Sequence, residues 1–222
     1  MSYVFMRVLE SAPSRYDRGI NLITLGKISK AYDQLATLIK DKWTVIDIGC
    51  GTGAMAIRAA QQGAHVVGID INPQMLEIAS KNVQSTGLSD SVVLREQGIA
   101  ELSNESSAQF DAAICSLVFS ELSDNERIYT MNQLHRIIKP GGMLIIIDET
   151  RPAGLLKVIL YWLIRIPMMV LTYIVTQTTS GAVDNISEMA VNSGFIIKEI
   201  QCTWLGDLTE LVCINSKSQD NW

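Results

Sequence analysis

The chain has 222 residues, of which 48% are hydrophobic, and a formal net charge of −5 at pH 7. This length supports one substantial hydrophobic core and is short for two full domains. The negative charge, and the lack of any dense run of lysine and arginine, argue against nucleic-acid binding through phosphate neutralisation. The four cysteines show no C-x-x-C spacing, so we expect no zinc or other metal site.

The chain starts with a helical pattern, which changes near residue 43. Residues 1–42 carry apolar side chains at helical spacing and predict an N-terminal helical cap. The first seven residues show no basic leader, long apolar stretch or cleavage site, which predicts a cytoplasmic location.

Strand and helix patterns alternate over residues 43–150, the predicted core of the domain. Such alternation predicts parallel βαβ units and an α/β fold with a doubly wound, Rossmann-like sheet. Asn72 and Pro73 predict the start of one helix, and 139–142 (Lys-Pro-Gly-Gly) predicts the end of another. The predicted strands are 43–48, 65–70, 91–96, 110–116 and 142–149, and the predicted helices are 53–62, 73–86 and 124–138.

The last third of the chain divides into an apolar segment and a final helix with two strands. Residues 151–180 predict an apolar helical insert, in which Lys157, Arg165 and Pro167 argue against a membrane span. Its stretch 154–176 suits a helix on a membrane surface, a cover over an apolar substrate, or a hairpin packed on the core. Residues 181–222 predict a helix (182–193) and an antiparallel hairpin of strands 195–203 and 208–215, which completes seven strands in a single domain.

The most informative motif joins the first strand to the helix after it. Gly49, Gly51 and Gly53 follow an apolar strand, and such glycines let the backbone turn sharply and expose its N–H groups to a ligand. Asp70 closes the second strand 17 residues after Gly53, a position from which a carboxylate accepts hydrogen bonds from ribose hydroxyls. The pattern predicts a nucleoside-bearing cofactor.

Asp47 helps to choose between cofactors, because it brings negative charge towards the glycine motif. A carboxylate there opposes a pyrophosphate and suits a cofactor that carries an ammonium and a sulfonium. With this feature the chain resembles the class I S-adenosylmethionine-dependent methyltransferases. The resemblance is strongest over 47–53, at Asp70, and over 110–116 and 134–142.

The resemblance implies S-adenosylmethionine as the cofactor and a set of residues that bind it. Asp70 would hold both ribose hydroxyls, and the end of the fourth strand would lie beside the methionine portion. Ile99 stands where the family usually has an aspartate near the adenine amino group, so adenine would rest on backbone groups and apolar contacts. The expected cofactor-binding residues are Tyr16, Asp47, Gly49, Gly51, Gly53, Asp70, Ile71, Gly98, Ile99, Ala100, Cys115 and Ser116.

Two subfamilies share further features with the chain. Residues 15–19 with Leu25 and Gly26 resemble the N-terminal cap of the quinone-biosynthesis C-methyltransferases, in which the tyrosine, here Tyr16, closes over the cofactor. Segments 9–13, 98–102 and 117–122 resemble more closely the corrinoid-protein-associated methyltransferases, which implies a corrinoid protein as a partner.

Methyl transfer from a sulfonium depends chiefly on positioning, so the sequence assigns no catalytic residue. Tyr16, Ser116, Glu121, Asp148 and Glu149 are polar candidates near the expected site, and ordinary capping or loop polarity explains each of them as well. We interpret the chain as a methyltransferase for a small or lipophilic acceptor, with a peripheral membrane contact left open. The alternatives are a nicotinamide-dependent oxidoreductase, which Asp47 disfavours, and a non-enzymatic accessory protein of the same fold.

Overall fold

The computed structural model describes residues 26–150, 183, 185–202 and 208–216. They form one seven-stranded sheet flanked by helices. The strands are β1 (Thr44–Ile48), β2 (His65–Asp70), β3 (Val92–Glu96), β4 (Phe110–Ser116), β5 (Ile138–Glu149), β6 (Phe195–Cys202) and β7 (Leu208–Asn215). The helices are α1 (Lys27–Ala36), α2 (Ala54–Gln61), α3 (Pro73–Ser85), α4 (Asp124–Ile137) and α5 (Ile186–Asn192).

The sheet order determines where a ligand can bind. The strands lie in the order β3-β2-β1-β4-β5-β7-β6. The pairs from β3 to β5 are parallel, whereas β7 runs antiparallel to both β5 and β6. The strand order reverses between β1 and β4, and the crevice at the carboxyl ends of these strands is the usual ligand site of such sheets. This topology confirms the predicted fold class.

The central strands are apolar because both faces of the sheet are covered. Val45 packs in the cluster on one face, and its neighbour Ile46 packs in the cluster on the other. The alternation follows from the strand geometry, in which successive side chains point to opposite faces. Burial on both sides explains why β1 and β4 read as nearly continuous apolar runs.

Local caps determine where two of the helices start. The Asn72 side chain accepts hydrogen bonds from the backbone N–H groups of Gln74 and Met75, and Pro73 occupies the first helical position of α3. At the start of α4, Glu126 accepts a hydrogen bond from the backbone N–H of Ser123 at 2.8 Å. Both helix starts were predicted from the sequence.

Helix α4 ends at Ile137, close to its predicted end at residue 138, but the predicted start of the next strand at residue 142 is wrong. Strand β5 begins at Ile138, directly after α4, and Ile138 pairs with Phe110. The next pair is Ala112 with Met143, so 139–142 form a bulge opposite the single residue Asp111. Burial of the Ile138 side chain favours this early start, and the Lys139 ammonium lies 2.7 Å from the Asp111 carboxylate at the bulge.

Helix α1 is the described part of the predicted N-terminal cap. Arg58 on α2 holds it in place: its guanidinium donates to Asp33 at 2.7 Å and to the Ser29 hydroxyl at 3.1 Å. The same guanidinium also donates to the backbone oxygen of Ala54 at 3.0 Å. Since α2 follows the glycine motif directly, this contact places α1 beside the crevice.

The apolar insert lies outside the described residues, but the chain on either side of it is defined. Thr150 and Val183 form a parallel bridge, and the Val183 N–H donates to the backbone oxygen of Glu149 at 2.8 Å. The chain therefore leaves and rejoins the sheet at the carboxyl end of β5. Within the described ranges, no helix combines the length and hydrophobicity that crossing a membrane requires.

Replacing Gly68 with alanine is expected to strain the packing beneath the glycine motif. A Cβ at Gly68 would lie 3.0 Å from Cys50 Sγ and 2.9 Å from Leu94 Cδ2. We expect Gly68→Ala to lower the free energy of unfolding by about 1–3 kcal/mol, measured by urea denaturation. Cys50→Ala in the same background should restore part of the loss, and a Gly68→Ala variant as stable as the parent would contradict this packing.

Candidate active site

The glycine motif forms a bend that other residues would strain. Gly49, Gly51 and Gly53 have φ values of +63°, +53° and +81°, a region that favours glycine. A Cβ on Gly49 would also lie only 2.7 Å from Val118 Cγ2, whereas the space around Gly51 is open. The loop therefore needs glycine for its conformation, and at Gly49 for space as well.

Asp70 lies at the end of β2 and faces this bend. Its two carboxylate oxygens accept hydrogen bonds from the backbone N–H groups of Gly51 and Asn72, each at 2.8 Å. Burial raises the pKa of Asp70, and the N–H groups of Asn72, Gly51 and Ile71 oppose that rise. A carboxylate oxygen has room for a second donor, so Asp70 is fixed in a position where it can bind a diol.

Asp70 lines the first of two cavities that meet over the glycine motif. This cavity has a volume of about 400 Å³, and we call it the nucleoside half. Ile71, Gly98 and Ile99 contribute to its walls, and the Ile71 side chain is 76% exposed at its mouth. The apolar character of Ile71 and Ile99 suits the face of a nucleobase.

The loop over 97–105, beside this half, is held by side chains. The Glu101 carboxylate accepts a hydrogen bond from the Gly98 N–H at 2.5 Å. Ala100 does not line either cavity, and its backbone oxygen accepts hydrogen bonds from the Tyr129 and Ser103 hydroxyls. Ala100 thus lies in the supporting loop and not on the cavity wall.

Asp47 lines the second cavity, which we call the amino-acid half. This cavity has a volume of about 380 Å³ and lies between the glycine motif and α1. Asp47 is 1% exposed, and its Oδ2 atom has no hydrogen-bond partner among the residues that the structure describes. A buried carboxylate oxygen without a donor is costly, and a cationic ligand group would remove that cost.

The pKa of Asp47 reflects this environment. Burial raises the pKa from 3.8 to about 7; the backbone N–H of Ala56 opposes the rise, and the negative charge of Asp70 adds to it. Near neutral pH the two carboxylates therefore form an acidic pair that is only partly compensated by the protein.

The end of β4 contributes two residues with different environments. Cys115 is fully buried and lines neither cavity; burial, followed by the charges of Asp47 and Asp148, raises the pKa of its thiol. Ser116 lines both cavities. Cys50, in the glycine motif, lines the amino-acid half, and burial raises the pKa of its thiol. Both thiols are thus held in the neutral form, and we interpret the two cysteines as small residues that pack in the core.

Of the polar candidates for catalysis, Asp148 has a clear structural role. Its carboxylate accepts hydrogen bonds from the backbone N–H groups of Phe119, Ser120 and Glu149. Burial raises the pKa of Asp148 to about 6, and hydrogen bonds with the Ser120 side chain and with these backbone N–H groups oppose the rise. Asp148 therefore holds the loop after β4, whereas Glu121 lines the nucleoside half. Tyr16 lies outside the described residues.

Tyr32 is a residue of the site that no sequence pattern indicated. It lies on α1, lines the amino-acid half, and its hydroxyl forms a short hydrogen bond with the Ser116 hydroxyl. These two residues are 84 positions apart, and no spacing rule connects them. Predicting this pair would have required knowing how α1 packs against the carboxyl edge of the sheet.

Comparison with known proteins identifies the family of this site. Residues 39–198 match the family model described as a methyltransferase domain, which covers well over half of the chain. The chain belongs to the methyltransferase domain family. This match confirms the methyltransferase family predicted from the sequence. It favours that family over a nicotinamide-dependent oxidoreductase.

The similar proteins of known name include methyltransferases of quinone biosynthesis. A ubiquinone biosynthesis O-methyltransferase of Xylella fastidiosa (strain 9a5c) is 34% identical over 117 residues, which cover 52% of this chain and 46% of that protein. A ubiquinone/menaquinone biosynthesis C-methyltransferase of Geobacter sp. (strain M21) is 29% identical over 148 residues, or 64% of this chain and 61% of that protein. The chain spans about half the length of the curated relatives it matches.

Solved structures support the fold at lower identity. An O-methyltransferase family protein from Burkholderia thailandensis has a TM-score of 0.70 and 16% identity, over 96% of this chain and 64% of that one. A magnesium protoporphyrin IX methyltransferase from Synechocystis PCC 6803, solved with bound SAM, has a TM-score of 0.63 and 19% identity, over 84% of this chain and 79% of that one.

The raised pKa of Asp47 predicts how stability depends on pH. Because the folded protein binds this proton more tightly than the unfolded chain does, the stabilisation is present at acidic pH and is lost as the pH rises from about 4 to about 7. An asparagine side chain at this position would stay neutral throughout. Relative to the parent, we expect Asp47→Asn to raise the free energy of unfolding by about 2 kcal/mol more at about pH 8 than at about pH 5.

Urea unfolding of the ligand-free protein at both pH values measures this difference. Asp90→Asn is the matched control, because Asp90 is exposed before β3, at the opposite end of the strands. An equal effect of Asp47→Asn at the two pH values would contradict the assignment of the pKa shift to Asp47.

Proposed function

We propose that this methyltransferase domain transfers the methyl group of S-adenosylmethionine to a small lipophilic acceptor. The observation that carries the proposal is the position of two carboxylates in the two halves of one crevice. Asp70 lines the nucleoside half and Asp47 lines the amino-acid half, with the glycine motif between them. The cofactor has the same two-part chemistry, with a ribose diol on one side and a cationic amino acid on the other.

The residues present fit this cofactor in two specific ways. The Asp70 carboxylate is already oriented by two backbone N–H groups and can accept from a diol. The buried carboxylate of Asp47, which has one oxygen without a hydrogen-bond partner among the described residues, suits an ammonium group, and a charge-assisted hydrogen bond to this carboxylate would offset the cost of its burial. A diphosphate would instead place negative charge close to both carboxylates.

The chemistry required of the protein is mainly positioning. When bound, S-adenosylmethionine supplies an electrophilic methyl group on a positively charged sulfur, and S-adenosylhomocysteine is left after transfer. Holding the acceptor atom in line with that methyl can lower the activation free energy by roughly 7–11 kcal/mol. The rigid loop after β4, held by Asp148, and the open space over Gly51 serve this purpose.

Two observations support a lipophilic acceptor. The apolar segment 151–182 leaves and rejoins the sheet at Thr150 and Val183, at the same edge as Ser116. Its sequence is rich in leucine, isoleucine, valine and methionine, which suits a cover over an apolar molecule. Two relatives are named for the biosynthesis of ubiquinone or menaquinone, so a quinone precursor is the first acceptor to test. A corrinoid protein and a membrane surface remain predicted partners.

The ribose assignment is tested by Asp70→Ala. Removing this carboxylate deletes the acceptor for two hydroxyl donors, and hydrogen bonds to a charged group contribute about 1.5–3 kcal/mol each. We expect S-adenosylmethionine affinity, measured by titration calorimetry, to fall by at least about 100-fold. Asp90→Ala should bind as the parent does. Unchanged affinity in Asp70→Ala would refute the ribose assignment.

The acceptor is tested by incubating the protein with methyl-labelled S-adenosylmethionine in native cell extract. We expect the label in an organic-soluble small molecule, which mass spectrometry then identifies, and no such product with Asp70→Ala. Label only on a corrinoid protein, or only in water-soluble products, would contradict the lipophilic acceptor. An extract in which no labelled product forms, although the protein binds the cofactor, would contradict the transferase proposal.

A further inference from the structure

The two halves of the crevice meet at a small set of residues. Among the described residues, the linings of the nucleoside half and the amino-acid half share Gly49, Gly51 and Ser116. Of these three, only Ser116 has a side chain with a polar atom. Its hydroxyl therefore lies at the junction between the cavity lined by Asp70 and the cavity lined by Asp47.

Tyr32 brings a second hydroxyl to this junction. Its phenol oxygen is hydrogen-bonded to Ser116 Oγ, and its ring packs against the buried cluster that covers α1 and α2. The Arg58 guanidinium lies 5.7 Å from the ring centroid, and Asp33 at 2.7 Å compensates its charge. The phenol is thus held by α1 and α2, and the positive charge beside its ring is already paired.

The chemistry of the cofactor places its sulfur at such a junction, because the sulfur joins the nucleoside to the amino acid. S-adenosylmethionine has a positive sulfur and a polarised methyl group there, whereas S-adenosylhomocysteine has a neutral thioether. The ribose diol and the ammonium group, which Asp70 and Asp47 would hold, are present in both molecules. Those two carboxylates can therefore hold either molecule, and contacts at the junction respond directly to the methyl group.

We propose that Tyr32, together with Ser116, is a specificity-determining residue that favours the methylated sulfonium over the demethylated product. Two hydroxyls carry four lone pairs and two protons, and their mutual hydrogen bond uses one of each, so acceptors still outnumber donors in the pair. Such oxygens attract polarised C–H groups and positive sulfur, in weak contacts of about 0.5–1 kcal/mol each. The inference rests on the proposed function, since it requires that the crevice bind S-adenosylmethionine.

The test compares the two ligands on the same protein. Titration calorimetry gives the Kd of S-adenosylmethionine and of S-adenosylhomocysteine for the parent, Tyr32→Phe and Ser116→Ala. We expect Tyr32→Phe to raise the ratio of the first Kd to the second by about two- to fivefold. Ser116→Ala should change the ratio in the same direction, and the double variant should change it by less than the product of the two single effects.

A matched control uses a tyrosine away from the junction. The Tyr129 hydroxyl donates to the Ala100 backbone oxygen beside the nucleoside half, so Tyr129→Phe should leave the ratio unchanged. Thermal unfolding verifies that each variant is folded, and Ser116→Ala tests the same junction if Tyr32→Phe does not fold.

The outcomes separate this inference from the proposed function. Equal weakening of both ligands in Tyr32→Phe would mean that the pair only holds α1 in place, and would overturn the inference. An unchanged ratio in both single variants would overturn it as well. If the parent binds neither ligand, the proposed function itself fails, and the inference fails with it.

Discussion

The structure depends on an arrangement in which two carboxylates repel each other. Asp47 and Asp70 lie near the carboxyl ends of the neighbouring parallel strands β1 and β2. Asp47 pairs in register with Gly68, two residues before Asp70. The glycine bend between the strands keeps the space over both side chains open. Burial and, to a smaller extent, repulsion by Asp70 raise the pKa of Asp47 to about 7, so this carboxyl group is only partly ionised near neutral pH. A cationic ligand group would stabilise the ionised form of Asp47, and we expect the ligand to bring one.

Much of the remaining architecture keeps this arrangement rigid. The Gly51 and Asn72 N–H groups fix Asp70, and Asp148 fixes the loop after β4 through the backbone N–H groups of Phe119 and Ser120. Arg58 ties α1 to the helix that follows the glycine bend. Rigid placement matters because methyl transfer gains most of its rate from alignment. In the proposed function, the fold therefore contributes by holding charges and hydroxyls at fixed positions.

The features that could be predicted from the sequence are those encoded locally. Strands β2, β4 and β7 begin and end close to where their apolar runs do, and the cap at Asn72 and the positive φ angles of the glycine motif follow from residue type. The bulge after Ile138 could not be predicted, because it depends on pairing with Phe110 on another strand. The contact between Tyr32 and Ser116 depends on how a helix packs against the sheet, which no local pattern records.

The central claim is that one carboxylate binds a ribose diol while the other binds a ligand ammonium. A crystal structure of the protein with S-adenosylhomocysteine tests it most directly, since the ligand reports both contacts at once. We expect the two ribose hydroxyls within hydrogen-bond distance of Asp70 and the ammonium within hydrogen-bond distance of Asp47. A ligand bound with its ribose away from Asp70, or with its amino-acid end outside the cavity lined by Asp47, would contradict the claim.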